Sequence, residues 1–481
     1  MKVAIVHYHL EPGGVTRVIE NTLDAWASAG HAIETVVLSG RRYAGDRIPK
    51  NQVIDGLDYA TPEQAINPEL LMDRMKDGAR RSLGGMPDLW HIHNHSLGKN
   101  PSLTGATALL AQAGEFLLLH PHDFAEDGRP HNFKALDKVY AQAYPSSARI
   151  HYAALNNRDR LFLSDLFADS SSQVHLIANA IPENESGSTA DFADSSLPEN
   201  FFLYPVRAVR RKNLGELALL AAAHPDKHFA NSLGPTNPAF RPQFERWKTF
   251  AKESGLPITY GLGDLVDYSF PSMVASSEAI VNTSVAEGFG LGFLEPWIFG
   301  KSLCGRNLPE ITSDFSQHGV QLDNLYNRLE LNLDLLQDPT TLLPRIEAVL
   351  ANFFNDYGVE LPLQASQEAF DSIVIDNLID FGRLDEPLQE ELISAVLESE
   401  EAKESIRGQS SIESLSSTRI EQNAKAVQEN FSMHAYGNKL IEIYQDLISA
   451  PAHEVKVDFA KGRNLLEHFL SPTRLNLLRT N

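Results

Sequence analysis

The feature that most restricts the fold is an alternation of short apolar runs with longer amphipathic segments, which occurs twice along the chain. In the first series the apolar runs are KVAIVHY, AIETVVLSG, DLWHIHN and AGEFLLLHPHD. Short apolar runs separated by helical patterns are typical of parallel βαβ units whose sheet is covered on both faces. A second series runs from FFLYPVR through LGELALLAAAH, ITYGLG and PSMVASSEAIVNTS. The sequence therefore predicts an α/β protein with two Rossmann-like, doubly wound domains, and a cleft where the carboxyl ends of their strands face each other.

Composition predicts where these domains begin and end. The 481 residues are too many for one ordinary core. We predict an N-terminal domain at 1–182, a polar linker at 183–199 and a C-terminal domain at 200–429. Within the last of these, about 321–417 is predicted to be an acidic, helical insertion. Residues 430–481, a helix with an apolar stripe and a tail, are predicted to pack back on the N-terminal domain.

Charge and hydropathy exclude several classes of protein. A net charge of −22 argues against a nucleic-acid-binding protein, which would present a basic face. No stretch approaches the roughly 20 apolar residues that a transmembrane helix needs, and the N-terminus is typical of a buried strand rather than a signal peptide. The single cysteine, Cys304, excludes an internal disulfide and favours a cytoplasmic location.

One glycine-rich stretch, NTSVAEGFGLGFLEPWIFGK at 282–301, indicates a binding site. Its two glutamates, Glu287 and Glu295, flank a glycine loop that leads into an apolar segment. On one continuous helix they would lie about 12 Å apart along the axis. If a helix instead begins near Gly290, backbone N–H groups would face an anion such as a diphosphate, with one carboxylate on either side. That layout matches a nucleotide sugar, whereas the alternative is two exposed glutamates beside a turn.

Two further loops follow predicted strands. In YPVRAVRRKNLGE, Arg207 and Lys212 are five residues apart between a strand and a helix, where they could supply two cations to a diphosphate. The alternative is a solvated basic turn. In HYHLEPGGVTRVIE, Gly13 and Gly14 would let the backbone approach a phosphate, or would simply form a tight βα connection.

Histidines follow the third and fourth predicted strands. FLLLHPHD contains His120, His122 and Asp123, and HIHNH contains His93 and His95. Histidines two residues apart also raise the possibility of a metal site, but no third ligand is evident from the sequence. We predict that the HIHNH loop lines the cleft, and a merely polar loop is the alternative.

The order of these motifs resembles that of retaining GT-B glycosyltransferases of family 4 (glycosyl transferases group 1). The resemblance covers about residues 1–310 and 425–450 and is most specific in SSEAIVNTSVAEGFGLGFLEPWIFGK. It implies that Glu287 contacts the donor hexose and Glu295 the ribose, while Arg207 and Lys212 neutralise the diphosphate. It also implies that His122 lies close to the reacting sugar.

The resemblance completes the predicted site. The donor would also contact Gly13, Gly14, Gly288, Phe289, Gly290 and Leu291, and the acceptor side would include His93, His95, His120 and Asp123. His120 is the second candidate for the role given to His122. The segment GRNLPEITSDF at 305–315 departs from the family pattern, and in it Glu310 is a candidate donor-side contact.

The resemblance implies transfer of a hexose from a nucleoside diphosphate sugar to an acceptor hydroxyl, with retention. The donor is a substrate, no cofactor is implied, and a metal is predicted to be dispensable. We expect a small soluble acceptor or a glycan. Two alternatives remain, a sugar-nucleotide epimerase or hydrolase and a non-catalytic glycosyltransferase-like subunit. An NAD-dependent enzyme is disfavoured because EPGGVTR lacks the third glycine of a dinucleotide-binding turn.

Overall fold

The structure is a computed structural model, which describes residues 1–167, 173–182, 194, 196–198, 201–265, 268–450 and 456–480. Its strands are β1 (Lys2–Val6), β2 (Glu34–Ser39), β3 (Asn51–Val53), β4 (Leu89–His93), β5 (Leu117–His120), β6 (Pro145–Ser146), β7 (Ile150–Ala154), β8 (Val174–Leu176), β9 (Phe201–Arg207), β10 (His228–Leu233), β11 (Ile258–Tyr260), β12 (Ala279–Asn282), β13 (Leu303–Gly305), β14 (Glu330–Asn332), β15 (Val374–Ile375), β16 (Leu378–Asp380) and β17 (Asp458–Phe459). Its α-helices are α1 (Gly14–Ser28), α2 (Pro68–Leu83), α3 (Pro101–Gln112), α4 (Pro130–Ala135), α5 (Asn157–Leu166), α6 (Leu214–Ala223), α7 (Arg241–Glu253), α8 (Leu262–Leu265), α9 (Phe270–Ser276), α10 (Glu295–Ile298), α11 (Pro309–Gln317), α12 (Leu342–Asp356), α13 (Ala365–Ile373), α14 (Glu386–Glu398), α15 (Glu400–Gln409), α16 (Ser417–Phe431), α17 (Met433–Ile448) and α18 (Gly462–Phe469).

The described residues form two compact units. Unit 1 contains Met1–Pro182 and Glu429–Leu470, and unit 2 contains Glu183–Gln428 and Ser471–Asn481. The sheet of unit 1 has the strand order β3-β2-β1-β4-β5-β7-β8, and its strands pair in parallel. The four apolar runs of the first series form β1, β2, β4 and β5. The predicted α/β fold class is confirmed.

Both faces of this sheet are buried, which explains why its strands are continuously apolar. Val3 and Ile5 of β1 pack in one cluster together with residues of α1 and α17. Ala4 and Val6, which point to the opposite face, pack in a second cluster with residues of α2 and α3. Successive residues of a strand point to opposite faces, so a strand covered by helices on both sides must be apolar at every position.

Helix α17, near the end of the chain, covers one face of the unit 1 sheet. Ser432 caps the helix, since its hydroxyl accepts a hydrogen bond from the backbone N–H of Ala435 at 3.3 Å. The helix packs closely on α1, because a Cβ added at Gly437 would lie 2.5 Å from the carbonyl oxygen of Ala25. The hydroxyls of Tyr436 and Thr22, 3.0 Å apart, join the two helices.

Unit 2 contains a five-stranded parallel sheet with the order β11-β10-β9-β12-β13. Every residue of α6 is buried, and α14 and α15 pack against it. Because parallel strands present their carboxyl ends at one edge, the loops after β9 and β12 lie side by side.

The predicted acidic insertion at about 321–417 is only partly helical, and the prediction needs correction. It contains α12 to α15, but also a sheet of the short strands β14, β16 and β15, which pair antiparallel. Strands of two or three residues are too short to produce a recognisable alternation in the sequence.

The prediction that all of 430–481 packs on the N-terminal domain is wrong for the last residues. Ser471–Asn481 belongs to unit 2, where the Arg383 guanidinium donates hydrogen bonds to the carbonyl oxygens of Thr473 and Leu475. The predicted linker at 183–199 falls outside the described residues, apart from residues 194 and 196–198. In the part of the chain that the structure describes, no helix is both long and apolar enough to cross a membrane.

Candidate functional site

The carboxylate of Glu287 is the centre of a polar cluster in unit 2. Its Oε2 accepts a hydrogen bond from Arg211 at 2.5 Å, and its Oε1 accepts one from the hydroxyl of Ser284 at 2.6 Å. Lys212 Nζ also donates to Oε1. The Glu287 side chain is only 12% exposed, so these three donors replace water around the carboxylate.

Strand pairing explains how these residues meet. Ala279 and Ile280 of β12 lie opposite residues of β9 in a parallel register. The loops that follow the two strands are then joined by hydrogen bonds. The Thr283 hydroxyl donates a hydrogen bond to the carbonyl oxygen of Lys212 at 3.0 Å. The backbone N–H of Val285 donates one to the carbonyl oxygen of Arg211 at 2.9 Å.

The electrostatics of the cluster favour a charged Glu287. Burial alone would raise the pKa of this carboxyl, but the cations of Lys212 and Arg211 outweigh it and hold the pKa below its ordinary value. Burial lowers the pKa of Lys212, and this shift is opposed by the negative charges of Glu287 and Glu295. Both glutamates of the predicted pair therefore act on the same lysine.

The two predicted diphosphate cations have different partners. Lys212 contacts Glu287, whereas Arg207, the exposed last residue of β9, donates to the carbonyl oxygen of Gly234 at 3.1 Å. The structure adds Arg211, which sequence reasoning missed. Arg210 has a structural role, since it forms a bidentate pair with the buried carboxylate of Glu386 at 2.7 and 2.6 Å. Nothing in RAVRRK indicates which arginine takes which partner.

The glycine loop after Glu287 forms a tight turn rather than the start of a long helix. Gly290 adopts a left-handed conformation, with φ 93°, and caps a single 3-10 turn at Leu291–Phe293. A Cβ at this position would lie 2.9 Å from Ile311, so both conformation and space favour glycine. The predicted helix beginning near Gly290 is thus corrected to this turn followed by the four-residue helix α10, and the aligned backbone dipoles of a long helix are not available there.

The remaining residues of this loop divide into buried and exposed ones. Phe289 is buried against Phe315, with ring centroids 5.4 Å apart. Gly288 and Leu291 are exposed. Glu295 is the first residue of α10 and is half-buried. Gly288, Leu291 and the neighbouring Gly292 are therefore the exposed positions between the two glutamates.

The turn of Gly13 and Gly14 begins helix α1 in unit 1. Gly13 is extended, with φ 179°, which any residue can adopt. A Cβ added at Gly14 would meet none of the described atoms within 4 Å. The Thr16 hydroxyl donates to the carbonyl oxygen of Glu11 at 2.6 Å and fixes the turn. Both glycines are exposed, and their contact with a donor stays a prediction.

Four histidines on β4, on β5 and just after β5 form what we call the imidazole grid, which consists of His91, His93, His120 and His122. Two hydrogen bonds cross between the strands. Nε2 of His91 lies 3.1 Å from Nδ1 of His120, and Nδ1 of His93 lies 2.7 Å from Nε2 of His122. Along each strand the rings stack, with centroids 4.3 and 4.2 Å apart. The hydroxyl of Tyr444 on α17 lies 2.8 Å from Nδ1 of His91.

The grid is buried, and burial keeps its imidazoles neutral. It lowers the pKa of His91 to about 3 and that of His122 to about 4. Three ring nitrogens of His91, His93 and His120 lie within 4.8 Å of one another, as metal ligands can. However, the planes of the His91 and His120 rings are inclined by only 7°, and the facing nitrogens, 3.1 Å apart, are at hydrogen-bond distance. The grid is a hydrogen-bonded assembly.

The predicted acceptor-side residues differ in their access to solvent. His93, His95 and His120 are completely buried, and their place on the acceptor side stays a prediction. His95 Nε2 lies 2.9 Å from the carbonyl oxygen of Ala143. The side chain of Asp123 is 43% exposed and pairs with Arg129 at 2.6 Å.

Asn94 is a positioning residue that sequence reasoning missed. Its Oδ1 accepts hydrogen bonds from the backbone N–H groups of His122 at 2.6 Å and Asp123 at 3.2 Å. Asn94 itself has φ 55°, a left-handed conformation that asparagine tolerates better than most residues. The asparagine within HIHNH was the sequence feature that could have indicated this left-handed turn.

Glu310, the candidate donor-side contact, lies near the start of α11 and is half-exposed. Its Oε2 accepts a hydrogen bond from Arg474 at 2.8 Å. Arg474 belongs to the tail residues of unit 2, so Glu310 helps to hold the tail.

Comparisons with known proteins agree with this architecture. No family model matches the chain. Among solved structures, HepE from Anabaena in complex with UDP and glucose matches with a TM-score of 0.52 and 13% identity, covering 92% of this chain and 99% of HepE. Sucrose-phosphate synthase from Thermosynechococcus elongatus matches with a TM-score of 0.52 and 14% identity, over 94% of this chain and 100% of that one. The chain has the GT-B fold, as its sequence motifs predict.

A curated protein is similar along almost its whole length. Mannosylglucosyl-3-phosphoglycerate synthase from Petrotoga mobilis is 24% identical over 519 aligned positions, which cover 98% of both chains. The predicted resemblance to GT-B glycosyltransferases is confirmed.

Proposed function

We propose that this chain is a glycosyltransferase that moves a hexose from a nucleoside diphosphate sugar to an acceptor hydroxyl, with retention at the anomeric carbon. The observation that carries the proposal is the Glu287 carboxylate held by Arg211 and Lys212 after strands β9 and β12. Ligands of open α/β sheets bind outside the carboxyl ends of the strands. The similarity to HepE, whose structure contains UDP and glucose, supports a nucleotide-sugar donor.

In this proposal the donor diphosphate competes with Glu287 for its cations. Phosphate oxygens accept hydrogen bonds from Lys212 and Arg211, which releases the Glu287 carboxylate to accept hydrogen bonds from the hexose hydroxyls. Arg207, at the end of β9, adds a further cation, and Glu295 binds the ribose. These charges make a metal dispensable for the transfer.

The reaction requires no protein nucleophile. The bond between the anomeric carbon and the diphosphate oxygen breaks, and its electron pair leaves with the diphosphate. The acceptor oxygen forms its bond to the anomeric carbon on the same face, and the acceptor proton passes to a diphosphate oxygen. Lys212, Arg211 and Arg207 stabilise the charge on the leaving group, while Glu287 lies beside the oxocarbenium-like sugar.

His122 is the residue of unit 1 that we propose as a contact to the sugar. Its ring is oriented by His93 at 2.7 Å and, with a pKa of about 4, it is neutral at physiological pH. A neutral imidazole can donate or accept one hydrogen bond but brings no charge to the reaction. The backbone of Gly13 and Gly14 is proposed to approach the donor, and Asp123 to contact the acceptor.

We propose a small, anionic glycoside as the acceptor. The support is the full-length similarity to Mannosylglucosyl-3-phosphoglycerate synthase, whose name describes a sugar attached to a phosphoglycerate-bearing glucoside. A soluble acceptor also agrees with the acidic composition of this chain.

The test is a thermal-shift screen of UDP-, GDP- and ADP-hexoses, because a ligand that binds the native state raises its apparent stability. The donor that binds is then incubated with and without glucosyl-3-phosphoglycerate, and the anomeric configuration of the product is read by NMR. Retained configuration in an acceptor-dependent product is expected. Turnover of the donor alone would instead indicate a hydrolase or epimerase, and absence of donor binding a non-catalytic subunit.

A further inference from the structure

A second group of histidines lies at the edge of the unit 1 sheet, apart from the imidazole grid. His151 is on β7 and His175 is on the neighbouring edge strand β8. His175 lies opposite Ala153 in a parallel register, so His151, two residues earlier, points to the same face of the sheet. Helix α17 covers that face, since its residues pack in one cluster with Ala153, and it brings Asp446 to the two histidines.

Three ligand atoms converge at this point. His175 Nε2 lies 2.9 Å from His151 Nδ1, and Asp446 Oδ2 lies 3.9 Å from the same nitrogen. One ligand atom from each residue lies within 4.8 Å of the others. Tetrahedral ligands at the ordinary zinc–nitrogen distance of about 2.0–2.1 Å are about 3.3 Å apart, a value between the two distances measured from His151 Nδ1.

The ring geometry differs from that of the grid. Here the imidazole planes are inclined by 40°, with centroids 4.9 Å apart, whereas the planes of the two hydrogen-bonded pairs of the grid are inclined by 7° and 21°. In the grid each pair is arranged along one shared hydrogen bond. At His151 the same ring nitrogen lies 2.9 Å from an imidazole nitrogen and 3.9 Å from a carboxylate oxygen, so a carboxylate joins the two imidazoles here.

We propose that His151, His175 and Asp446 bind a divalent transition-metal ion of the zinc type. Two imidazole nitrogens and one carboxylate oxygen are a ligand set of zinc, and water can complete a fourth position. The His151 side chain is only 6% exposed while that of Asp446 is 66% exposed, so the site is anchored in the sheet and open to solvent on the helix side.

This ion fastens α17 to β7 and β8 and stabilises unit 1. It is independent of the proposed transfer reaction, whose cations belong to unit 2. The neighbouring Lys439 acts on His175 with a positive charge that opposes the metal. Its ammonium lies 3.9 Å from the Glu442 carboxylate, which moderates that charge.

The test is a titration of the metal-free protein with Co²⁺, followed by visible absorption and by equilibrium dialysis. One equivalent is expected to bind, with the absorption of four-coordinate cobalt. Asp446→Asn and His175→Gln should each weaken binding by at least about 10-fold. The exposed His131 provides the matched control, and His131→Gln should bind as the unchanged protein does.

Thermal unfolding with Zn²⁺ provides a second readout. Saturating Zn²⁺ should raise the Tm of the unchanged protein and of His131→Gln, but not that of Asp446→Asn. Asp446 is largely exposed, so its substitution does not disturb the core and circular dichroism should be unchanged. The proposal is overturned if no stoichiometric cobalt binds, if both ligand variants bind normally, or if binding is lost in His120→Gln, which would place the metal in the grid.

Discussion

Lys212 donates a hydrogen bond to Oε1 of Glu287, and the two side chains, 15% and 12% exposed, are each other's principal counter-charge. This relationship joins a cation and a carboxylate that the sequence separates by 75 positions. We expect Lys212→Ala to cost on the order of 2–4 kcal/mol of transition-state stabilisation, because it removes charge aimed at the leaving diphosphate.

Arg207→Ala should lose a comparable amount of transition-state stabilisation while the fold stays intact. We expect this although Arg207 donates its hydrogen bond to the carbonyl oxygen of Gly234 rather than to Glu287. The measurement is kcat/KM for each variant, with Tm as the check on folding. Lys227→Ala, a cation of the same unit over the Phe202 ring, is the control and should leave kcat/KM unchanged. Normal transfer rates in both Arg207→Ala and Lys212→Ala would refute the assignment to the diphosphate.

Glu287→Gln and Glu295→Gln should impair the transfer reaction in different ways. Glu295→Gln removes a charged acceptor from the ribose, so it should raise KM more than it lowers kcat and weaken binding of the free nucleoside diphosphate. Glu287→Gln acts beside the anomeric carbon and should lower kcat by about 10²-fold.

The structure adds a consequence for the free nucleotide. Glu287 competes with the diphosphate for Lys212 and Arg211 in our proposal, so its neutralisation should leave nucleoside diphosphate affinity unchanged or slightly stronger. Donor kinetics and calorimetric titration of the nucleoside diphosphate measure both effects. Identical profiles for the two variants would show that the glutamates do not divide the donor between them.

The sequence predicts those features of the structure that depend on residues close together along the chain. The apolar runs gave β1, β2, β4 and β5 because alternation with helices is a local pattern. The strand-end positions of Glu287 and Lys212 followed from the same pattern. The short strands β14 to β16 were missed because two or three residues carry no period.

The residues that sequence reasoning missed depend on contacts between distant positions. The pairing of Arg210 with Glu386 spans 176 positions, and it leaves Arg211 rather than Arg210 for Glu287. The imidazole grid requires the register that sets His93 opposite His120. No spacing within RAVRRK or HIHNH contains that information.

Transfer activity should survive exhaustive treatment with a chelator, because Lys212, Arg211 and Arg207 already provide positive charge for the diphosphate. The same treatment should lower Tm if His151, His175 and Asp446 hold a metal, so activity and stability respond separately. The assay compares rates and Tm before and after chelation at one temperature well below the transition. Loss of activity that Mg²⁺ or Mn²⁺ restores would show that a metal performs the work assigned to the cations.

Acidification should destabilise unit 1 through the imidazole grid. In the unfolded chain a histidine has its ordinary pKa of about 6.5, whereas in the folded protein burial lowers the pKa of His91 to about 3 and of His122 to about 4. Below pH 6.5 the unfolded state therefore binds more protons than the folded state. The stabilisation that each neutral histidine provides is full above pH 6.5 and is lost as the pH falls. The free energy of unfolding then decreases by up to about 1.4 kcal/mol per pH unit for each such group.

Glu126 acts in the opposite direction. Burial raises the pKa of the Glu126 carboxyl to about 7. The contribution of Glu126 to the stability of the fold is therefore full below the ordinary pKa of a glutamate and is lost as the pH rises through about 7. Tm measured from pH 7.5 to 5 should fall, and His120→Leu should flatten the slope where His131→Gln does not. A Tm that is constant or rises on acidification would contradict the neutral grid.

The buried Arg306 should be essential for the stability of unit 2. Its guanidinium donates to Glu216 at 2.8 and 2.7 Å and to Asp380 at 3.0 Å, and Glu216 is completely buried. Arg306→Ala leaves that carboxylate without its counter-charge and should lower the free energy of unfolding by about 3–5 kcal/mol. Glu216 also accepts a hydrogen bond from Asn213, the left-handed residue directly after Lys212, so the loss should extend to the Lys212 loop.

Native-state hydrogen exchange can separate this effect by unit. Amides of β9 and α6 should lose protection in Arg306→Ala, while those of β1 should not. Arg246→Ala is the matched control, because Arg246 is 54% exposed in its pair with Glu390 and should cost less than about 1 kcal/mol. Equal losses in the two arginine variants, or unchanged protection of α6 in Arg306→Ala, would show that the buried network does not stabilise the sheet that carries the Lys212 loop.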